Sequence, residues 1–339
     1  MIVQEICSSA LLPMHPAQPP LFKSMNRPFL KQSGFSSRLP GVSQRITGNR
    51  QPMSEIDVVE TYARWVEVDG HRIRYFTAGE SGPPVVLIHG AGIDSALLSY
   101  RSTIIPLSER HRVFAPDLPG YGESDKPEID YTTEYYTCFI ANFMDALRLE
   151  KASLVGHSMG GAIALGLALL LPDKTNKLVL VSSYGLGHEI PRRLFALIFM
   201  QIPFLNEVLW KSVAYSRWLA KRSMGSAIYD PRTINAELIA AAQREVGRPR
   251  SGSAFRSYQR SEVTKRGLRT GFAEDLSQLT CPTLILHGAQ DKLIPLFWAQ
   301  RAHELISHSK LCVLDDCGHI PQREKPEEFN SAVLNFLNS

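Results

Sequence analysis

Residues 154–165 read LVGHSMGGAIAL, a serine set among glycines between two apolar runs. One continuous helix is a poor reading, because each interior glycine costs about 1 kcal/mol relative to alanine. A buried strand that stops, turns sharply and becomes a helix fits better. Ser158 then sits at the tip of the turn with its hydroxyl exposed. The glycines supply positive backbone angles and let strand and helix pass closely.

The chain around this turn has the matching rhythm. RWVEVDG and HRIRYFTAG, from Arg64, alternate in period two about a DG turn, the pattern of a hairpin. PPVVLIHG, HRVFAPD, KASLVGH, KLVLVSS and PTLILHG are short β-branched or leucine runs bounded by turn residues, as buried parallel strands are. YTTEYYTCFIANFMDALRL and MGGAIALGLALLL have helical spacing. The βαβ alternation predicts a mostly parallel sheet covered by helices on both faces.

KLVLVSS and PTLILHG are separated by far more chain than one crossover needs. The spacing predicts helices over 190–224 and 232–247, punctuated by stretches such as VGRPRSGSAF. Residues 186–272 are therefore expected to form an apolar helical lid inserted into a core of 54–185 and 273–339, above the strand ends where such sheets bind ligands.

Composition sets the outer limits. The 339 residues carry a net charge of +4 and are 44% hydrophobic, enough for one large core. Basic charge is concentrated: residues 1–53 hold six Lys/Arg against one acid, and 186–272 hold fifteen against six. The first 53 residues, with seven prolines and seven serines, are expected to be a disordered tail. An organelle transit peptide and a start at Met53 compete with that reading. No run is long and apolar enough to suggest a membrane-spanning helix. Five cysteines without a CxxC pair indicate neither a disulfide framework nor a zinc knuckle. A cytoplasmic protein is the expectation, with organelle import if the tail is a transit peptide.

A serine hydroxyl becomes a nucleophile when a base takes its proton and a carboxylate fixes the tautomer of that base. Among ten histidines, His157 and His89 lie in glycine turns, where backbone placement is the expected role. His319, in DDCGHIPQREKPEEF, follows the apolar strand KLCVL and precedes the last helix, on the sheet edge toward which Ser158 points. Asp291, in the loop after PTLILHG, is the acid that falls between serine and histidine; Asp315 and Asp316 end a strand and are read as structural. The amides of Ala91, in HGAG after a strand, and of Met159, at a helix N-terminus, are expected to bind the oxyanion.

Together HGAG, DLPGYGESDKP, GHSMGG, GAQDKLIP and GHIPQREKPEEF resemble, in content and order, the α/β-hydrolases over about residues 64–339. The resemblance implies an eight-stranded sheet, Ser158 as nucleophile, Asp291 as acid and His319 as base, while Asp117 and Gly120 shape a loop. Serine at the elbow argues against epoxide hydrolases and haloalkane dehalogenases, which have aspartate there. The lid and HGAG also resemble the meta-cleavage C–C bond hydrolases, which typically have asparagine before the nucleophile and tryptophan after the histidine. Here those positions are His157 and Ile320.

The expected function is hydrolysis of carboxylic esters of a small or lipid-like substrate through an acyl-enzyme. C–C bond hydrolysis of a ring-fission product, its carboxylate held by Arg192, Arg193 or Arg256, is the alternative; a non-catalytic binding protein is another. Neither cofactor nor metal is expected, and nucleic acid is not an expected partner. The basic, apolar lid makes peripheral membrane contact an expectation to test.

Overall fold

The structure, a computed structural model, describes residues 61–188, 203–264 and 267–339. The tail expected at 1–53, and Arg192 and Arg193, lie outside the described residues.

Eight strands make one sheet: β1 (Ala63–Val68), β2 (His71–Ala78), β3 (Pro84–Ile88), β4 (Arg112–Pro116), β5 (Ala152–His157), β6 (Thr175–Val181), β7 (Thr283–Gly288) and β8 (Ser309–Leu314). Their order across the sheet is β1-β2-β4-β3-β5-β6-β7-β8. β2 pairs antiparallel with β1 and with β4, and every other pair is parallel. The hairpin turns at Asp69 and Gly70, both at positive φ (52° and 75°), so that its twist matches that of the strands it joins.

The central strand β3 is apolar at every position because both of its faces are covered. Val85 and Leu87 of β3 face α1 (Ala96–Ser108) and α10 (Pro326–Asn338), through Tyr100, Ile104, Phe329 and Val333. Val86 and Ile88 face the opposite core of α2 (Thr133–Ala146), α3 (Met159–Leu170) and α8 (Leu296–Leu305), with Phe139, Ile163 and Trp298. Successive strand side chains alternate between the faces, so both must be apolar.

Between β6 and β7 the chain forms α4 (Pro203–Tyr215), α5 (Arg217–Met224), α6 (Ala236–Gly247) and α7 (Ser253–Glu262). Asn235 caps α6 by accepting the Leu238 N–H at 2.8 Å. The stretch read as punctuation in fact opens α7, immediately after Gly252 in the left-handed region at φ 76°. Hydrophobic periodicity misses α7 because its buried positions include the polar Ser257, Gln259 and Glu262 beside Ala254 and Tyr258. Val213, Ala220, Ile234, Leu238, Ile239 and Val246 pack as a cluster of their own that reaches Leu98 of α1, whereas Ala254 and Tyr258 of α7 join the main core. Among the described residues no helix is long and apolar enough to cross a membrane.

The elbow depends on the close passage of α3 under β3. A Cβ on Gly160 would lie 2.2 Å from the Ile88 carbonyl oxygen and 2.6 Å from that of His89. Both are backbone atoms of a buried strand end with nowhere to retreat. Gly160→Ala is therefore expected to cost about 3 kcal/mol of stability, read by thermal unfolding. Gly247→Ala, at the end of α6 with nothing within 4 Å of the added atom, is the control expected to leave stability unchanged or raised. Equal unfolding temperatures for the Gly160 variant and the parent would contradict the packing described.

Candidate active site

Ser158 stands between β5 and α3 at φ 52° and ψ −116°, a conformation that side-chain-bearing residues rarely adopt. Backbone hydrogen bonds hold it there. Its N–H donates to Val181 O (2.9 Å), and its own carbonyl accepts the N–H groups of Gly161 (2.9 Å) and Tyr184 (3.1 Å). The backbone on both sides is thus bonded, and the side chain projects from the turn half-buried.

The structure brings the three side chains singled out in the sequence into contact. His319 Nε2 lies 3.0 Å from Ser158 Oγ, and His319 Nδ1 lies 2.8 Å from Asp291 Oδ2. The Asp291 side chain is fully buried, and that of His319 is 7% exposed. Asp291 Oδ1 accepts the N–H groups of Leu293 (2.8 Å) and Ile294 (3.0 Å). Burial pushes the Asp291 carboxyl up, but the His319 imidazole, His287 and the Ile294 N–H outweigh it, so the group stays below the usual carboxylate range. An anionic Oδ2 fixes the proton of neutral His319 on Nδ1 and leaves Nε2 as an acceptor facing the serine hydroxyl. Asp315 and Asp316 are exposed at the end of β8.

Ala91 is in the turn after β3, and Met159 is the first residue of α3. The Met159 amide is among the first-turn donors that a helix leaves without internal partners. The Ala91 amide makes no backbone hydrogen bond among the described residues. The turn that carries Ala91 packs on the elbow: a Cβ on Gly90 would meet His157 Nδ1 at 2.8 Å. The turn that carries Ala91 thus lies against the elbow that carries Met159.

Other residues act as supports. His89 accepts the Leu118 N–H on Nε2 (3.0 Å), so its proton is on Nδ1, which donates to Gly90 O (2.7 Å). Asp117 accepts the N–H groups of Ala96 (2.9 Å) and Glu123 (3.2 Å), and Ala254 of α7 lies against Gly120. These are loop-shaping roles, as expected. Arg256 is half-buried on α7 with its guanidinium beside Gly252. Among the described residues no three His, Cys, Asp or Glu side chains group as a metal site.

Two other contributors were not singled out from the sequence. Glu324, in the one-turn helix α9 (Pro321–Glu324), accepts the N–H groups of Gly318 (3.0 Å) and Tyr229 (2.7 Å) and so ties the His319 loop to the inserted segment. Burial raises its pKa above the ordinary carboxylate value. The Asp94 side chain, 10% exposed, accepts the Gly90 N–H in the turn that carries Ala91. Position relative to the last histidine is the only signal that could have marked Glu324, and Asp94 had only its place after HGAG.

The sequence profile described as "alpha/beta hydrolase fold" matches residues 83–326. The chain is 32% identical over 277 residues to a 2-hydroxy-6-oxo-6-(2'-aminophenyl)hexa-2,4-dienoic acid hydrolase of Metapseudomonas resinovorans, covering 81% of this chain and 90% of that protein. It is 32% identical over 262 residues to a 2-hydroxy-6-oxo-2,4-heptadienoate hydrolase of Pseudomonas putida, covering 76% and 90%. Among solved structures, the meta-cleavage product hydrolase of Pseudomonas fluorescens IP01 superposes with a TM-score of 0.70 at 31% identity, covering 81% of this chain and 97% of that one.

Proposed function

The chain belongs to the α/β-hydrolase fold family and is a hydrolase, and from that premise we propose that Ser158 attacks a carbonyl carbon of a 2-hydroxy-6-oxo-hexa-2,4-dienoic acid and cleaves a C–C bond. The observation that carries the reading is His319, in contact with Ser158 Oγ at 3.0 Å and with Asp291 at 2.8 Å. The choice of bond rests on the two relatives at 32% identity, both named hydrolases of such acids.

In this reading His319 takes the Ser158 proton as Oγ adds to the 6-oxo carbon, and the amides of Ala91 and Met159 hold the oxyanion. Before collapse the 2-hydroxyl proton moves to C5, giving the 2,6-dioxo tautomer, so that breaking the C5–C6 bond sends its electron pair through C3=C4 onto the 2-oxo oxygen. The dienolate leaves as the 2-hydroxydienoic acid with the proton held by His319. Water activated by His319 then releases the acyl group from Ser158 as a carboxylic acid. The inserted helices α4 to α7 would act as the lid that shields these steps from bulk water.

A second reading, hydrolysis of carboxylic esters, uses the same residues with an alkoxide leaving group. His157 and Ile320, where C–C hydrolases typically have asparagine and tryptophan, favour it. The test offers the purified chain a 6-phenyl dienoic acid of this class and a p-nitrophenyl ester series. Decay of the dienoate absorbance with a kcat/KM at least about 100-fold above that for any ester is the expected result. Ester turnover without dienoate decay would overturn the C–C assignment and leave the ester reading.

A further inference from the structure

Two polar side chains outside the triad hold the backbone around it. His157 Nε2 lies 2.9 Å from the carbonyl oxygen of His319. A carbonyl only accepts, so Nε2 donates. Across the ring, Nδ1 stands 3.7 Å from Asp94 Oδ2, beyond hydrogen-bond reach. Asp94 also accepts the Gly90 N–H (2.8 Å), the Ser95 N–H (2.8 Å) and the Ser99 hydroxyl (2.8 Å). Burial pushes its carboxyl up, but the imidazoles of His157 and His89 and the Ser99 hydroxyl bring it below the usual range.

Each contact falls on a different active-site loop. His157 directly precedes Ser158, and its ring, 5.0 Å from that of His319 centre to centre, is bonded to the main chain of the base. Asp94 sits behind His157 and fixes the amide next to Ala91. On the far side, the His319 N–H donates to Ala227 O at 2.7 Å, and Glu324 holds the Gly318 amide. The His319 main chain is thus held by the inserted segment at its N–H and by the elbow at its C=O.

We propose that Asp94 and His157 are positioning residues that keep the nucleophile, base and oxyanion turns in one register, with His157 setting the approach of His319 Nε2 to Ser158 Oγ. The proposal rests on the serine-hydrolase reading above but not on which bond is cleaved. Misplacing reacting groups by about 1 Å costs on the order of 100-fold in rate, so a side chain that holds the base loop beside the elbow has a large effect without touching substrate.

The test is the rate at which a fluorophosphonate probe inactivates the full chain, resolved into its maximal rate and its half-saturating concentration, beside thermal unfolding. The wild type is expected to be labelled and Ser158→Ala not. His157→Leu is expected to lower the maximal rate about 10- to 100-fold with the half-saturating concentration unchanged. His157→Gln, whose amide nitrogen can take the place of Nε2, is expected to recover most of it. Asp94→Asn, nearly the same shape, is expected to slow labelling as well, and it decides the matter should His157→Leu fail to fold. Wild-type maximal rates in folded His157→Leu, or in Asp94→Asn, would overturn the proposal while leaving the triad standing. An unlabelled wild type would instead remove the serine-hydrolase reading and this proposal with it.

Discussion

Ser158→Ala is expected to lower turnover of whichever substrate the enzyme accepts by about 10⁴- to 10⁶-fold, the loss seen when a hydrolase nucleophile is removed and only binding and the oxyanion amides remain. The effect should be separable from stability. The Ser158 side chain makes no capping bond to α3, and its hydroxyl contacts His319 Nε2. Alanine is also no less suited than serine to the positive φ that the turn imposes. The unfolding temperature should therefore stay near that of the parent while activity and fluorophosphonate labelling vanish. Wild-type turnover in a folded Ser158→Ala chain would exclude Ser158 as the nucleophile.

Asp291→Asn is expected to cost about 10⁴-fold in kcat, and the hydrogen bonds around it say why. Oδ1 accepts two backbone N–H groups, from Leu293 and Ile294, so the oxygen of an asparagine must take that place. Its NH2 group then faces His319 Nδ1, where the wild type presents Oδ2. A donor there forces Nδ1 to accept, which moves the imidazole proton to Nε2 and leaves no base facing Ser158. Single-turnover acylation should fall with the same factor as kcat, whereas Asp315→Asn, an exposed site, should change neither. A kcat for Asp291→Asn within tenfold of the parent would refute the assignment. The same carboxyl carries a pH signature. Because its folded pKa lies below the unfolded value, its contribution to stability is present above roughly pH 4 and is lost as pH falls through the lower folded value. Asp291→Asn should remove that part of the acid sensitivity.

Much of the site is legible in the sequence because the rules that mark it are local. Gly156, Ser158 and Gly160 describe a strand, a sharp turn and a helix within a few residues, and the order of Ser158, Asp291 and His319 along successive strand ends follows from the βαβ rhythm. Helix α7 was not legible, since its burial against Gly120 and the main core lies far along the chain from any pattern within Ser253–Glu262. The supports Asp94, Glu324 and Ala227 were likewise unreadable: an acid at a loop or an alanine carbonyl carries no signal until its partner arrives.

The sheet, and the candidates Ser158, His319 and Asp291 that it brings into contact, were thus readable in the sequence alone, because side-chain periodicity and turn sterics act between neighbours. Tertiary structure alone decided that His157 holds the His319 carbonyl and that the inserted segment holds its N–H through Ala227. Those bonds close loops of many residues, and their partners are chosen only when the packed core brings distant backbone groups within hydrogen-bond reach.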